Sequence, residues 1–302
     1  MIDTVIHILL TLLFPPLLLG VINRTKALFA GRTGQPLLQA YYDLAKLARK
    51  GTVFSSTTSW VFRAAPVAAL AATVTASLLI PLGEHRPPLS FNGDMILFAY
   101  LFGLARFCTT AAALDTGSSF EGMGAAREAT FACLAEPALF FSLAVLARLS
   151  GSLSLTPMLT GTAATSWLSA GASLLLLVGS LFIVLLTENC RVPFDDPTTH
   201  LELTMVHEVM VLDHSGPLFG AILYGAALKL FVLGALFTDI ALPYFTGIPL
   251  VDWVLFIIAM LMLAVGIGIV ESIMARLQLA KIPQMLAASC ILAAFSLLLV
   301  LR

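Results

Sequence analysis

Charge is the first thing this sequence has little of. Only 11% of its 302 residues are Asp, Glu, Lys or Arg, against about 25% in soluble domains. Hydrophobic residues make up 59%, and the mean hydropathy is +0.99. That balance excludes a soluble globular chain and predicts an all-α integral membrane protein. Net charge is nearly absent too, at −1, so no nucleic-acid partner is expected. Cysteine is scarce: Cys108, Cys133, Cys190 and Cys290 are scattered, with no C-x-x-C. Zinc and iron–sulfur sites need several ligands at short spacing. No metal site, no cluster and no disulfide framework is therefore expected in this chain. Any redox chemistry it serves belongs to partner subunits. The stretch Met1 to Ile22 lacks a basic segment ahead of its apolar run, so it reads as a retained first span. No internal repeat is evident and no loop could hold a soluble domain, so residues 1–302 read as a single polytopic membrane domain.

Apolar runs long enough to cross a bilayer, about 20 residues each, number eight. They are Ile2–Ile22, Val61–Leu82, Asp94–Leu114, Ala125–Leu149, Trp167–Thr187, Pro217–Leu242, Val251–Ala275 and Pro283–Leu301. Eleven Lys and Arg residues fall at one set of span ends: Arg24, Lys26, Arg32, Lys46, Arg49, Lys50, Arg63, Arg127, Arg191, Arg276 and Lys281. Only Arg86, Arg148 and Arg302 fall at the other. The positive-inside rule then puts the loops after the first, third, fifth and seventh spans in the cytoplasm, and both termini outside.

Two cytoplasmic connections have helical periodicity. Gln35 to Lys50 sets Leu37, Tyr41, Leu44 and Ala48 on one face and Gln39, Asp43, Lys46 and Lys50 on the other. Such a helix either lies on the membrane surface or docks a soluble partner. The second runs from Thr199 to about Asp213. It sets His200, Thr204, His207 and Glu208 on a polar face, with His214 joining if the helix extends that far. Met205, Val209 and Leu212 oppose them, together with Glu202 and Asp213. The histidines are seven residues apart, about 10 Å per step, too far to share a metal. Val211 stands where H-E-x-x-H needs histidine, which excludes a zinc protease motif. A wetted face and a proton relay remain open readings for these residues.

Ionisable groups inside a span cost about 2.5–3.5 kcal/mol each on insertion scales. Glu136 and Lys229 lie midway along the fourth and sixth spans, and Arg106 lies well inside the third. Glu128, Glu188 and Glu271 sit near cytoplasmic span ends. Together they suggest a funnel of acids leading to Glu136 and Lys229. Asp239, Arg127 and Arg148 sit near span ends and are expected to reach solvent.

The fifth span stops in Glu188-Asn-Cys-Arg-Val-Pro-Phe-Asp-Asp-Pro197, followed by Glu202-Leu203. Pro193 and Pro197 stiffen this acidic loop. Stiffness suits either the fixed entrance of a charged path or a partner-docking surface. The stretch resembles the signature loop of the complex I subunit 1 family, which includes the membrane subunits of group 4 energy-converting hydrogenases. Arg32-Thr-Gly-Gln-Pro-Leu-Leu-Gln-Ala-Tyr-Tyr-Asp-Leu-Ala-Lys-Leu47, Gly124-Ala-Ala-Arg-Glu128 with Glu136, and Glu271-Ser-Ile-Met-Ala-Arg-Leu277 resemble three further family segments, in order. Quinone-reducing members usually carry a more acidic P-E-G-E-S-E-L run where this chain has Asp196-Pro-Thr-Thr-His-Leu-Glu-Leu203. That difference tilts the resemblance toward the hydrogenase-type branch.

The resemblance implies a membrane anchor and ion-coupling subunit with no redox centre of its own. It implies iron–sulfur clusters, with or without nickel–iron, in partner subunits. Those partners would be hydrogenase-like large and small subunits and a ferredoxin-like subunit on the cytoplasmic side, with antiporter-like subunits in the bilayer of a prokaryotic inner membrane. Glu128, Glu136, Glu188, Asp195, Glu202 and Glu208 are the implied coupling acids, and Lys229, Glu271 and Arg106 join them as charges in or near spans. Arg32, Asp43, Lys46 and Arg191 are implied at the partner interface, beside Asp196, His207 and His214 of the same loops. Two other readings stay open: a quinone-binding subunit of an NADH:quinone oxidoreductase, and an independent proton-coupled transporter.

Overall fold

The structure, a computed structural model, describes residues 2–160, 163–195, 205–243 and 246–302. Among these the chain forms eleven α-helices and no strand. They are α1 (Ile2–Leu13), α2 (Pro15–Phe29), α3 (Gln39–Ala48), α4 (Trp60–Leu79), α5 (Asp94–Asp115), α6 (Ser119–Ser150), α7 (Leu155–Leu159), α8 (Ala163–Glu188), α9 (Gly216–Ala241), α10 (Pro249–Ile273) and α11 (Ile282–Leu301). The last five long helices, with α4 and α5, are each long and apolar enough to cross a bilayer. The eighth span is α1 with α2, bent by 49°. The bend has a local cause: Pro15 and Pro16 open α2, and proline is accepted in a first turn but not in a helix interior. Large apolar side chains such as Phe107, Leu168 and Met262 point outward, as lipid-facing surfaces require. The chain is an integral membrane protein.

In a bilayer, helices associate through close packing and interhelical hydrogen bonds. Both operate here. The α8–α11 pair is joined by Ser173 to Ser296 at 2.7 Å and Ser180 to Ser289 at 2.9 Å, all four buried. Each helix contributes its two serines seven residues apart, so they share a face. The first turn of α4 leaves backbone donors unpaired, and Asp115 at the end of α5 accepts from Ser59 N and Phe62 N. At Gly20 a Cβ would collide with the Leu37 carbonyl, so glycine lets the approach to α3 lie directly on α2.

The helix expected over residues 35–50 is α3, packed on α2 and α9. The second amphipathic helix is corrected. Residues 199–204 of it, with His200 and Glu202, lie outside the described residues. From Met205 on, the chain makes a 3-10 turn over Glu208–Val211. Val209, Met210 and Val211 are buried in succession and Leu212 is exposed. Three consecutive buried residues do not fit an α-helix with one apolar face. The turn packs on Gly124 of α6, where a Cβ would meet the Val209 side chain. Asp239 also departs from expectation: it is buried, accepts from Gly83 N at 3.2 Å, and lies beneath the turn at Leu82–His85.

Candidate functional site

The acidic stop of the fifth span is a helix terminus with a defined turn. Arg191 N bonds Leu186 O at 2.8 Å and Cys190 N bonds Thr187 O at 3.0 Å. These are the paired bonds of a Schellman motif. Its left-handed position, usually glycine, is Cys190 at φ 51°. The turn leaves Glu188 as the last helical residue, with its side chain drawn into the bundle.

There Glu188 meets Arg106. The Arg106 guanidinium donates to Glu188 on α8 and Glu136 on α6, and its Nε lies 3.4 Å from Glu128 Oε1. Lys229 Nζ on α9 lies 2.8 Å from the other Glu188 oxygen. Two cations thus serve three carboxylates contributed by two helices. Arg106 is able to do this because its planar fork carries five donors. Clefts of about 350, 680 and 490 Å³ all border Arg106 and Glu188. The first opens toward Asp195 and Val206, the second holds His207 and Lys229, and the third passes Glu136 to Tyr100 and Phe140.

A second cluster frames the loop that follows α8. Asp195 accepts from Val206 N at 3.1 Å, His207 N at 3.2 Å and Arg276 at 2.8 Å. Glu271 pairs with Lys26 at 2.9 Å and with Arg191 at 3.4 Å. Leu277 N bonds Pro193 O at 2.9 Å, so the segment after α10 closes on the loop. Arg32 and Lys46 are exposed, and Asp43 accepts from Gln39 beside them. Glu208 begins the 3-10 turn, and Asp196 lies outside the described residues. His207, grouped with the docking residues from its sequence, lines the cleft of Lys229. His214 is buried and stacks on Phe62 at 3.9 Å. Arg127, partly exposed, donates to Met205 O at 2.8 Å. Sequence reasoning passed over Glu121, which is buried and accepts from Asp213 N at 3.0 Å. Its signal was present: it stands seven residues before Glu128, on the same face of α6.

Burial pushes the His214 imidazole below its ordinary 6.5, and burial does the same to His207. A histidine buried neutral binds fewer protons folded than unfolded, so stability rises with pH through that range. The protein is expected to lose thermal stability as pH falls below about 6.5. His214→Phe, which keeps a ring on Phe62, should flatten that dependence in melting curves. An unchanged pH slope in His214→Phe would count against it.

Among the described residues, no group of three or more His, Cys, Asp or Glu side chains is placed to hold a metal ion. A family model described as NADH dehydrogenase matches residues 2–302. Formate hydrogenlyase subunit 4 of Escherichia coli (strain K12) is 32% identical over 277 residues, covering 89% of this chain and 88% of that protein. Hydrogenase-4 component C of the same organism is 32% identical over 233 residues, covering 77% and 72%. A chain in the solved structure of the membrane-bound sulfane sulfur reductase, an archaeal respiratory membrane complex, aligns over 99% of this chain and 98% of that one. Its TM-score is 0.85 at 21% identity, a likeness of fold. With the family model matching residues 2–302, and with a relative 32% identical over most of both chains, this chain belongs to the NADH dehydrogenase family.

Proposed function

We propose that this chain is the membrane anchor and ion-coupling subunit of a hydrogenase-type, complex I-like oxidoreductase of a prokaryotic cytoplasmic membrane. The observation that supports this most is the bridging of Glu128, Glu136 and Glu188 by Arg106, with Lys229 on Glu188. A packing role does not require five ionisable groups at the heart of a membrane bundle. Three carboxylates against two cations leave one negative charge to be met by a proton or a sodium ion. Loading and unloading that charge re-partitions Arg106 among its partners, which is a means of coupling. Glu271, Arg191 and Asp195 stand at the cytoplasmic mouth, and Glu136 at the lateral one. Hydrogenase-like large and small subunits and a ferredoxin-like subunit, holding iron–sulfur clusters with or without nickel–iron, would supply the redox step. Antiporter-like subunits would sit beside the chain in the bilayer, and both termini would face outward.

The docking face is assigned to loops 23–60 and 188–216; Lys26 of the first and Arg191 of the second pair with the same carboxylate, Glu271 of α10. Single cysteines introduced at exposed positions there, such as Arg32 and Lys46, are expected to cross-link to a soluble iron–sulfur subunit in the native complex. Cross-links that reach only lipid-side or outer partners would remove this assignment.

A further inference from the structure

The break in the first span is held by two side chains that the ion path does not use. Pro15 and Pro16 have no N–H, so the carbonyls of Thr11 and Leu12, four residues earlier, lack their helical donors. Leu17 N would serve Leu13 O, but it bonds Phe14 O at 3.0 Å. Three consecutive carbonyls are thus freed inside an apolar span, where an unmade hydrogen bond is expensive. Two tyrosine hydroxyls meet this stretch. Tyr224 on α9 donates to Leu12 O at 3.0 Å and lies 3.4 Å from Thr11 O. Tyr41 on α3 donates to Leu13 O.

The two tyrosines come from elements with different duties. The helix α3 has no buried residue and belongs to the proposed docking face. Its approach is seated on α2 at Gly20, and the helix itself packs on both α2 and α9. Lys229 lies on α9, about 7.5 Å along the helix from Tyr224. A load on α3 therefore reaches the bend through one hydroxyl, and the bend reaches α9 through the other. The bend is the compliant point, because its backbone ladder is interrupted there.

We infer that Tyr41 and Tyr224 are positioning residues that tie the break in the first span to docking on α3. The contact seated on α3 sets the Leu13 carbonyl through Tyr41, and Tyr224 relays the bend to the helix that carries Lys229. This rests on the docking reading above. A purely structural cap would also need the hydroxyls, but it would not make the bend respond to a partner.

Hydrogen–deuterium exchange separates the two. It is measured on the full chain in lipid nanodiscs and on the native complex, for wild type, Tyr41→Phe and Tyr224→Phe. In wild type, α3 should gain protection in the complex, and the amides of Phe14, Leu17 and Leu18 should change rate with it. Each Phe variant should speed those three amides about fivefold in the isolated chain, the size of one lost hydrogen bond. In Tyr41→Phe the complex-dependent change at the three amides should vanish while α3 is still protected. Tyr224→Phe should keep that change, yet lower the ions moved per electron with artificial-acceptor activity retained. If α3 is protected and the break never responds, or responds equally in Tyr41→Phe, this inference is overturned and the docking reading survives. If α3 gains no protection on assembly, the docking reading fails and carries this one with it.

Discussion

Replacing Arg106 by alanine is expected to destabilise the subunit by about 3–5 kcal/mol, the usual cost of leaving buried charges without their partner. Arg106 is the hub of the site, with contacts to Glu128, Glu136 and Glu188. Its side chain is 10% exposed and that of Glu188 is 6% exposed. Without the guanidinium, Lys229 remains as the nearby cation, and it is already on Glu188. Glu128 and Glu136 must then admit water or take up protons. Arg106→Lys keeps the charge but not the planar fork, and a single ammonium is not expected to serve two helices at once. The lysine variant should therefore recover much of the stability and little of the ion coupling. Thermal melting of the purified complex, alongside ion translocation per electron, measures both. An alanine variant that melts with wild type would show that the three carboxylates do not depend on this cation.

Much of this arrangement was legible in the residue order, and the limits have physical causes. Spans are legible because a bilayer demands long apolar runs, and α4, α5, α6, α8, α9, α10 and α11 fall where those runs lie. Arg106, Glu136 and Lys229 stand out because charge is expensive there. Their meeting was not legible, since it depends on which faces of α5, α6, α8 and α9 turn toward one another. Glu188 ends an apolar run and so resembles a surface acid. Its place on the face of α8 that meets Arg106 and Lys229 is what encloses it, and that is not written in the run itself. The segment after Met205 has polar residues at helical spacing, yet it folds as a 3-10 turn because Val209, Met210 and Val211 all find cover against α6 and its neighbours. Asp239 looks like a solvated helix end until the turn at Leu82–His85 is seen to close over it. In each case the deciding contact is tertiary, and local pattern carries no record of it.

Glu136 and Glu188 share Arg106 but are expected to fail differently when neutralised. Glu188 is held by Arg106 and Lys229 together and is almost fully enclosed. Glu188→Gln leaves both cations undercompensated, so lost stability should accompany lost coupling. The Glu136 side chain is 43% exposed, at the rim of the cleft that also holds Tyr100 and Phe140. That rim lies on the outer surface of the α5–α6 pair, at a depth where lipid would be a costly neighbour for a carboxylate. A polar neighbour from another membrane subunit would remove that cost, and Glu136 would then be the point where an ion passes between chains. Glu136→Gln keeps shape and hydrogen bonding and removes only the titrating group. The complex should assemble, melt as wild type and keep its artificial-acceptor activity. Ion translocation per electron should fall about a hundredfold, the effect of removing one positioned proton carrier. A Glu136→Gln complex that pumps at the wild-type ratio would make this carboxylate a structural partner of Arg106 and end the lateral path there.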